Sequence, residues 1–363
     1  MNRIIINHNK WFNSLCIFII LHEIFLCLLP SSHVSMNWIN NIVGMIFMTI
    51  SINVLSKKIN ILSLYKYWKL IGLIVMIGML YQSIEVYMLH NTVSFIKIPL
   101  LPLSSKDVYD KILLGNSFRP VSFFTEPSHY CSFMLPLLFL NLLFKDKIYT
   151  LFNLLCIFLS ASSLGIIMAV FFLISFSLKG NSIKYRIGLI LFLLLCCFAY
   201  FYLSAFEIAR EKMANVGEDE SSSLRLFFGA QVWYSLPFDI KVLGIMYSNI
   251  AEFLTYNSKY IPPYLMWIIN DDSSLSYQSS FWLIAIKFGF IGLFLYFGLF
   301  FNFKSLVKNF PLTIYVLYIA TAPFYQSCFM NTIFITQMVL MFVLIKNKEF
   351  IYEKLHYNDF ICK

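Results

Sequence analysis

An all-α, polytopic membrane bundle is the fold class this sequence predicts, and three observations predict it. Sixty per cent of the 363 residues are apolar and 12% are charged, against about 45–50% and roughly 25% in soluble domains. Mean hydropathy is +0.75. Apolar runs recur from Leu15 to Ile345, many of them near the roughly 20 residues with which a helix crosses about 30 Å of hydrocarbon. A soluble domain with one anchor is excluded. A transmembrane barrel would instead show alternating segments of about ten residues.

The runs place spans at 12–30, 38–55, 70–89, 130–144, 148–160, 164–178, 187–206, 280–301, 312–323 and 332–345, about ten in one integral membrane domain covering 1–363. Arg3 and Lys10 precede the first run, as in a signal peptide. No small-x-small cleavage pattern follows Pro30, so the run reads as a retained helix. The stretch from Ile148 to Leu178 carries no charge over 31 residues. As one helix it would be about 46 Å long. The Ser160-Ala161-Ser162-Ser163-Leu164-Gly165 run in its middle suits a break, so two helices are expected.

Charge tests that division. With the N-terminus inside, the inner segments hold 17 lysines and arginines against four acidic residues, and the remainder holds 10 against 14. Lysine and arginine bias sets orientation, so both termini are expected on the cytoplasmic side. The net charge of +9 is thus a topology signal, and no nucleic-acid partner follows from it. Two outer segments exceed the usual loop length: about 90–129 and about 207–279. Both are periplasmic in this reading, and an ordered, membrane-hugging domain is expected because they are not low-complexity and hold Trp233, Tyr234, Tyr247, Tyr264, Trp267 and several prolines.

Several chemistries lack their parts. There is no Walker A loop, no GxGxxG and no HExxH. Eight cysteines, mostly inside apolar runs and without a CxxC pair, read as small core residues. Asn270-Asp271-Asp272 is weak evidence for a metal. No cofactor or metal is expected.

Candidate chemistry gathers where the first outer loop re-enters the membrane, at Arg119 to Tyr130. An arginine is a permanent cation whose planar fork grips phosphate or carboxylate. Glu126 can take a proton or orient a sugar hydroxyl. Pro127 suits the first turn of the next helix, and Ser128 and His129 then lie near its N-terminus, which favours anions. Alternatively, Arg119 and Glu126 are a structural pair at headgroup level. In the larger loop, Arg225 follows Glu218-Asp219-Glu220. Ser221 or Ser222 would cap a helix starting near Ser223. Arg225 in its first turn opposes the helix dipole, which points to an anionic partner or to pairing with Glu218 or Glu220. His22, Glu23 and Lys287 fall within spans, where ionisable groups are functional candidates. Lys287 is within snorkelling reach of the outer face, and His22 and Glu23 either pair or face a cavity. Three such groups are too few for a proton relay.

The segment R-P-V-S-F-F-T-E-P-S-H-Y, Arg119 to Tyr130, resembles the bacterial O-antigen polymerases of the Wzy type. The Ser160–Gly165 break, Arg225, Gly244-Ile-Met-Tyr-Ser-Asn249 and Gln278-Ser-Ser-Phe-Trp leading to Phe288-Gly289-Phe-Ile-Gly292 resemble weaker family features in consistent order over roughly residues 110–300. One departure leaves open which arginine holds which phosphate: no glycine stands eleven positions after Arg119, Arg210 or Arg225. The resemblance implies an inner-membrane glycosyltransferase whose active face is periplasmic. Its substrates would be undecaprenyl-pyrophosphate-linked oligosaccharides, and Glu126, Arg119, Arg225 and His129 would be its site residues. A chain-length regulator and a flippase of the same pathway would be its partners, with membrane lipid around it. An O-antigen ligase is expected to carry a histidine late in the large loop, and residues 207–279 hold none. A flippase or other transporter would carry more charge within its spans and smaller outer loops.

Overall fold

The computed structural model describes residues 2–28, 37–91, 96, 119–124, 126–179, 198, 201–202, 227–245, 247, 250–261, 279–300, 310–326, 329 and 331–351. Among them every regular element is helical and no strand occurs. The helices are α1 (Asn2–Leu28), α2 (Asn37–Lys58), α3 (Ile61–Ser83), α4 (Pro127–Leu143), α5 (Lys147–Leu159), α6 (Ser163–Lys179), α7 (Gly229–Ser235), α8 (Phe238–Leu243), α9 (Ile250–Tyr256), α10 (Ser280–Gly298), α11 (Phe310–Tyr325) and α12 (Thr332–Lys346). Among the described residues, three stretches are long and apolar enough to cross a membrane: Ile39–Lys58, Ile61–Met88 and Ser280–Gly298. The expected span 187–206 lies outside the described residues, apart from 198, 201 and 202.

The chain forms two compact units, one from Met1–Ile61 with Val216–Lys363, the other from Leu62–Asn215. In the second unit α4 is the central helix, packed by α5 and α6. Its residues are apolar nearly all round, and twelve of its positions are buried, as a wholly apolar helix requires. On α3, Trp68, Val75, Met76, Met79 and Gln82 form a buried stripe at helical spacing, while Leu70, Ile71, Ile74, Ile77 and Tyr81 are exposed. That apolar outer face is what a lipid-facing helix presents.

The uncharged stretch after Lys147 is two helices. α5 ends at Leu159, α6 starts at Ser163, and Ala161 between them takes a left-handed φ of 48°. At the other end of α5, Asp146 is the N-cap and accepts from Tyr149 N. Its second oxygen accepts from Lys69 Nζ at 2.6 Å and Tyr65 Oη at 3.0 Å, which ties the α4–α5 turn to α3.

In the first unit α10 is the hub, with α1, α7, α8 and α11 against it, and α2 bridging α1 and α12. α10 is bent at Gly289, whose φ of 64° and ψ of −166° are not helical. The cause is the chain that lies across it. Ile245 N donates to Ile286 O at 3.1 Å. A Cβ on Gly289 would overlap the Val242 carbonyl, and one on Gly244 (φ 89°) the Lys287 carbonyl. Only glycine allows both the left-handed backbone and this approach.

Candidate functional site

The segment expected to carry chemistry is fastened before it reaches its helix. Val121 N and Ser122 N both donate to Gln82 Oε1, at 2.9 and 2.6 Å, and Gln82 Nε2 donates to Ser122 O at 3.2 Å. Ser122 Oγ donates to Val75 O, and Phe124 N closes a turn on Val121 O. Both ends of one buried side-chain amide thus satisfy backbone groups that would otherwise be buried unpaired, a costly arrangement. The turn needs Ser122 at a φ of 56°. It also needs Gly78, where a Cβ would press on Ser122 Oγ.

Arg119 enters the same neighbourhood from the other side. Its Nη1 donates to Ala161 O at 3.2 Å, so the guanidinium sits at the break between α5 and α6. Tyr87 Oη donates to Leu159 O at 3.1 Å, two residues earlier. The last carbonyls of a helix carry partial negative charge, and a cation there is stabilised. Tyr87 belongs to the π-turn Ile84–Met88 that continues α3; such turns are often found at functional sites. The Cys131 thiol contacts Ser160 Oγ at 3.4 Å, and a Cβ on Gly165 would overlap Cys131 Sγ. Two non-glycine residues with positive φ, Ser122 and Ala161, therefore flank one arginine. Backbone strain of this kind, costing about 1–3 kcal/mol each, clusters at functional sites.

Glu126 is the N-cap of α4, extended at φ −140° and ψ 150°, with Pro127 in the first turn and no side-chain cap bond. Its Oε2 accepts from Ser128 Oγ at 3.1 Å, while its backbone carbonyl takes Tyr130 N. His129 is exposed and Tyr130 is buried. The first turn of α4 thus places a carboxylate and a hydroxyl in contact at the mouth of the helix, leaves the imidazole exposed, and turns the next residue into the core.

Arg119, Glu126 and His129 share one unit. Arg225 lies outside the described residues, as do Glu218, Asp219, Glu220, Asp271 and Asp272. Among the described residues no group of three or more His, Cys, Asp or Glu gathers as a metal would require. Gln82 and Tyr87 were missed by the sequence reading. A lone amide within an apolar span was the available signal for Gln82.

One ionisable residue within the spans is placed differently from expectation. Lys287 does not snorkel to a surface. Its Nζ lies 2.7 Å from Glu23 Oε1, with side-chain exposures of 9% and 0%. His22 is buried beside them, its ring 5.3 Å from that of Phe288. Lys287 cannot reach out because it sits next to the bend of α10, under the Gly244 turn, facing α1.

No protein-family model, curated protein or solved structure matches this chain.

Proposed function

We propose that the chain is an integral-membrane glycosyltransferase, a bacterial O-antigen polymerase working at the periplasmic face of the inner membrane with both termini cytoplasmic. The observation that carries this reading is the meeting of two motifs far apart in sequence. The arginine of the Arg119-to-Glu126-Pro127 segment bonds Ala161 O in the serine-rich break. The same segment then leads into α4, whose N-cap is Glu126.

The reaction joins lipid-linked oligosaccharides. A hydroxyl oxygen of the acceptor sugar bonds to the anomeric carbon of the donor chain. The bond from that carbon to the pyrophosphate oxygen breaks, and the lipid pyrophosphate leaves with the electron pair. Glu126 takes the hydroxyl proton, because a sugar hydroxyl is a poor nucleophile at neutral pH. Arg119, with Arg225 from the larger loop, stabilises negative charge as it develops on the leaving pyrophosphate. His129 stands three residues from Glu126 as its partner or as a second base. The step consumes no nucleotide sugar and uses no cofactor. A chain-length regulator and a flippase would act beside it.

The test is the lipopolysaccharide of a strain lacking the gene. A band bearing one repeat unit, restored to a ladder by the intact gene, supports polymerisation. Complete loss of O-antigen points to ligation or flipping, and an unchanged ladder overturns the reading.

A further inference from the structure

We propose that α7 and α8 form a re-entrant element whose outer side is covered by phospholipid, at the headgroup–acyl boundary of the leaflet that the first half of α10 crosses. This inference is independent of the polymerase reading.

The argument is one of depth. α10 has 19 residues, about 28 Å of helix, close to the hydrocarbon thickness. α7 and α8 rest on its flank, from Trp282 to Phe290, and do not sit above its end. A Cβ on Gly229 would overlap Trp282. The ring of Trp233 meets that of Phe290 edge-on at 5.2 Å. Ile245 N bonds Ile286 O, and the Gly244 turn presses on Lys287. Ile286 lies six residues into α10, about 9 Å below its start at 1.5 Å per residue. A segment bonded there, backbone to backbone, enters the membrane with the helix that holds it. Its buried side is a packed cluster of Phe228, Val232, Trp233, Leu236 and Ile245.

The composition of the opposite side names the occupant. Phe227, Tyr234, Phe238 and Leu243 are exposed, Tyr234 at 78% and Phe238 at 76%. In water that apolar surface would be costly. Aromatic rings are favoured at membrane interfaces, and an amphipathic segment seats its apolar face about 5–10 Å into the boundary layer. The polar groups agree with that level. Asp239 is exposed in the first turn of α8, and Lys241 Nζ folds back onto Tyr234 O at 3.0 Å. Neither belongs in hydrocarbon, and both suit headgroups.

A photoreactive benzoylphenylalanine placed at position 238 of the full chain, in nanodiscs of phosphatidylethanolamine and phosphatidylglycerol, tests this. The same group at position 294, where Phe294 is 57% exposed on the far half of α10, is the reference. On illumination, mass spectrometry should find phospholipid adducts at both positions in comparable yield. Adducts at 294 with none at 238 would overturn the proposal. So would a cross-linked dimer or a second protein captured at 238, which would make the patch a protein interface. Absence of lipid adducts at both positions would overturn it too, since the depth argument rests on α10 crossing the bilayer.

Discussion

Glu23 and Lys287 meet at 2.7 Å where neither is open to water. The sequence marked both as charges inside spans, yet nothing local could join residues on α1 and α10. Their pairing is visible only in the fold. Removing one partner of a buried pair leaves an uncompensated charge and costs about 3–5 kcal/mol, whereas replacing both with apolar residues is often neutral. Lys287→Met should therefore lower the melting temperature of the purified protein sharply, and Glu23→Leu with Lys287→Met should recover most of it. Equal losses in single and double variants would mean that packing, not charge, governs the position. Arg119, Glu126 and His129 stood out in the sequence because their residue types are rare in so apolar a chain. The Gln82 clasp was not, because a glutamine in a span has no distinctive spacing. For the proposed chemistry, Arg119→Lys keeps the charge and loses the planar fork. It should shorten or abolish the polymer at unchanged protein level. Glu126→Gln should lower polymerisation by about 10²–10⁴-fold, the usual worth of a general base, while lipid-linked substrate still binds. Near-normal polymerisation by Glu126→Gln would remove the base role, and equal damage from His129→Ala alone would move it to the histidine.

At the scale of the element, apolar runs located the helices because their length is set by the medium they cross. Their ends were less legible. α3 was expected from residue 70 and begins at Ile61, since Lys66 and Lys69 were read as loop. The helix continues because Lys69 reaches Asp146 and lies over the Tyr149 ring at 3.7 Å, while Lys66 remains exposed. Burial alone would raise the pKa of Asp146, but the hydrogen bonds from Lys69, Tyr149 N and Tyr65 outweigh it and hold the carboxylate below its ordinary value. A depressed carboxylate adds stability above its unfolded pKa of about 3.9, and this is lost as pH falls through the lower folded value. Asp146→Asn should cost about 1 kcal/mol at neutral pH, the range for a part-exposed pair. It should also flatten the acid limb of a melting-temperature profile; an unchanged acid limb would count against the linkage. The bend in α10 was not legible, since a glycine within a helical pattern has several meanings. Contact with Val242 decides it. Gly289→Ala should cost at least about 1–2 kcal/mol for the left-handed backbone alone and loosen the Gly244 turn. Faster amide exchange at Ile245 would report that loosening.

For the whole molecule, the sequence made the helical class plain, while the grouping of helices into two units depends on contacts between distant segments. Reporter fusions test the expected sidedness: Ser105 and Tyr247 should read periplasmic, and Lys58 and Lys304 cytoplasmic. A cytoplasmic signal at Tyr247 would overturn the proposed orientation of the helices before it. The unit built from Met1–Ile61 and Val216–Lys363 is interrupted by the whole of the other, and this has a consequence for biosynthesis. α1 leaves the ribosome long before α10, against which it packs. At about 5–20 residues per second, Glu23 waits roughly 10–50 s for Lys287 to be made. Through that interval the carboxylate must find other partners. Pairing of α1 with α10 is therefore a late event in the making of this protein, set by the order in which the two segments leave the ribosome.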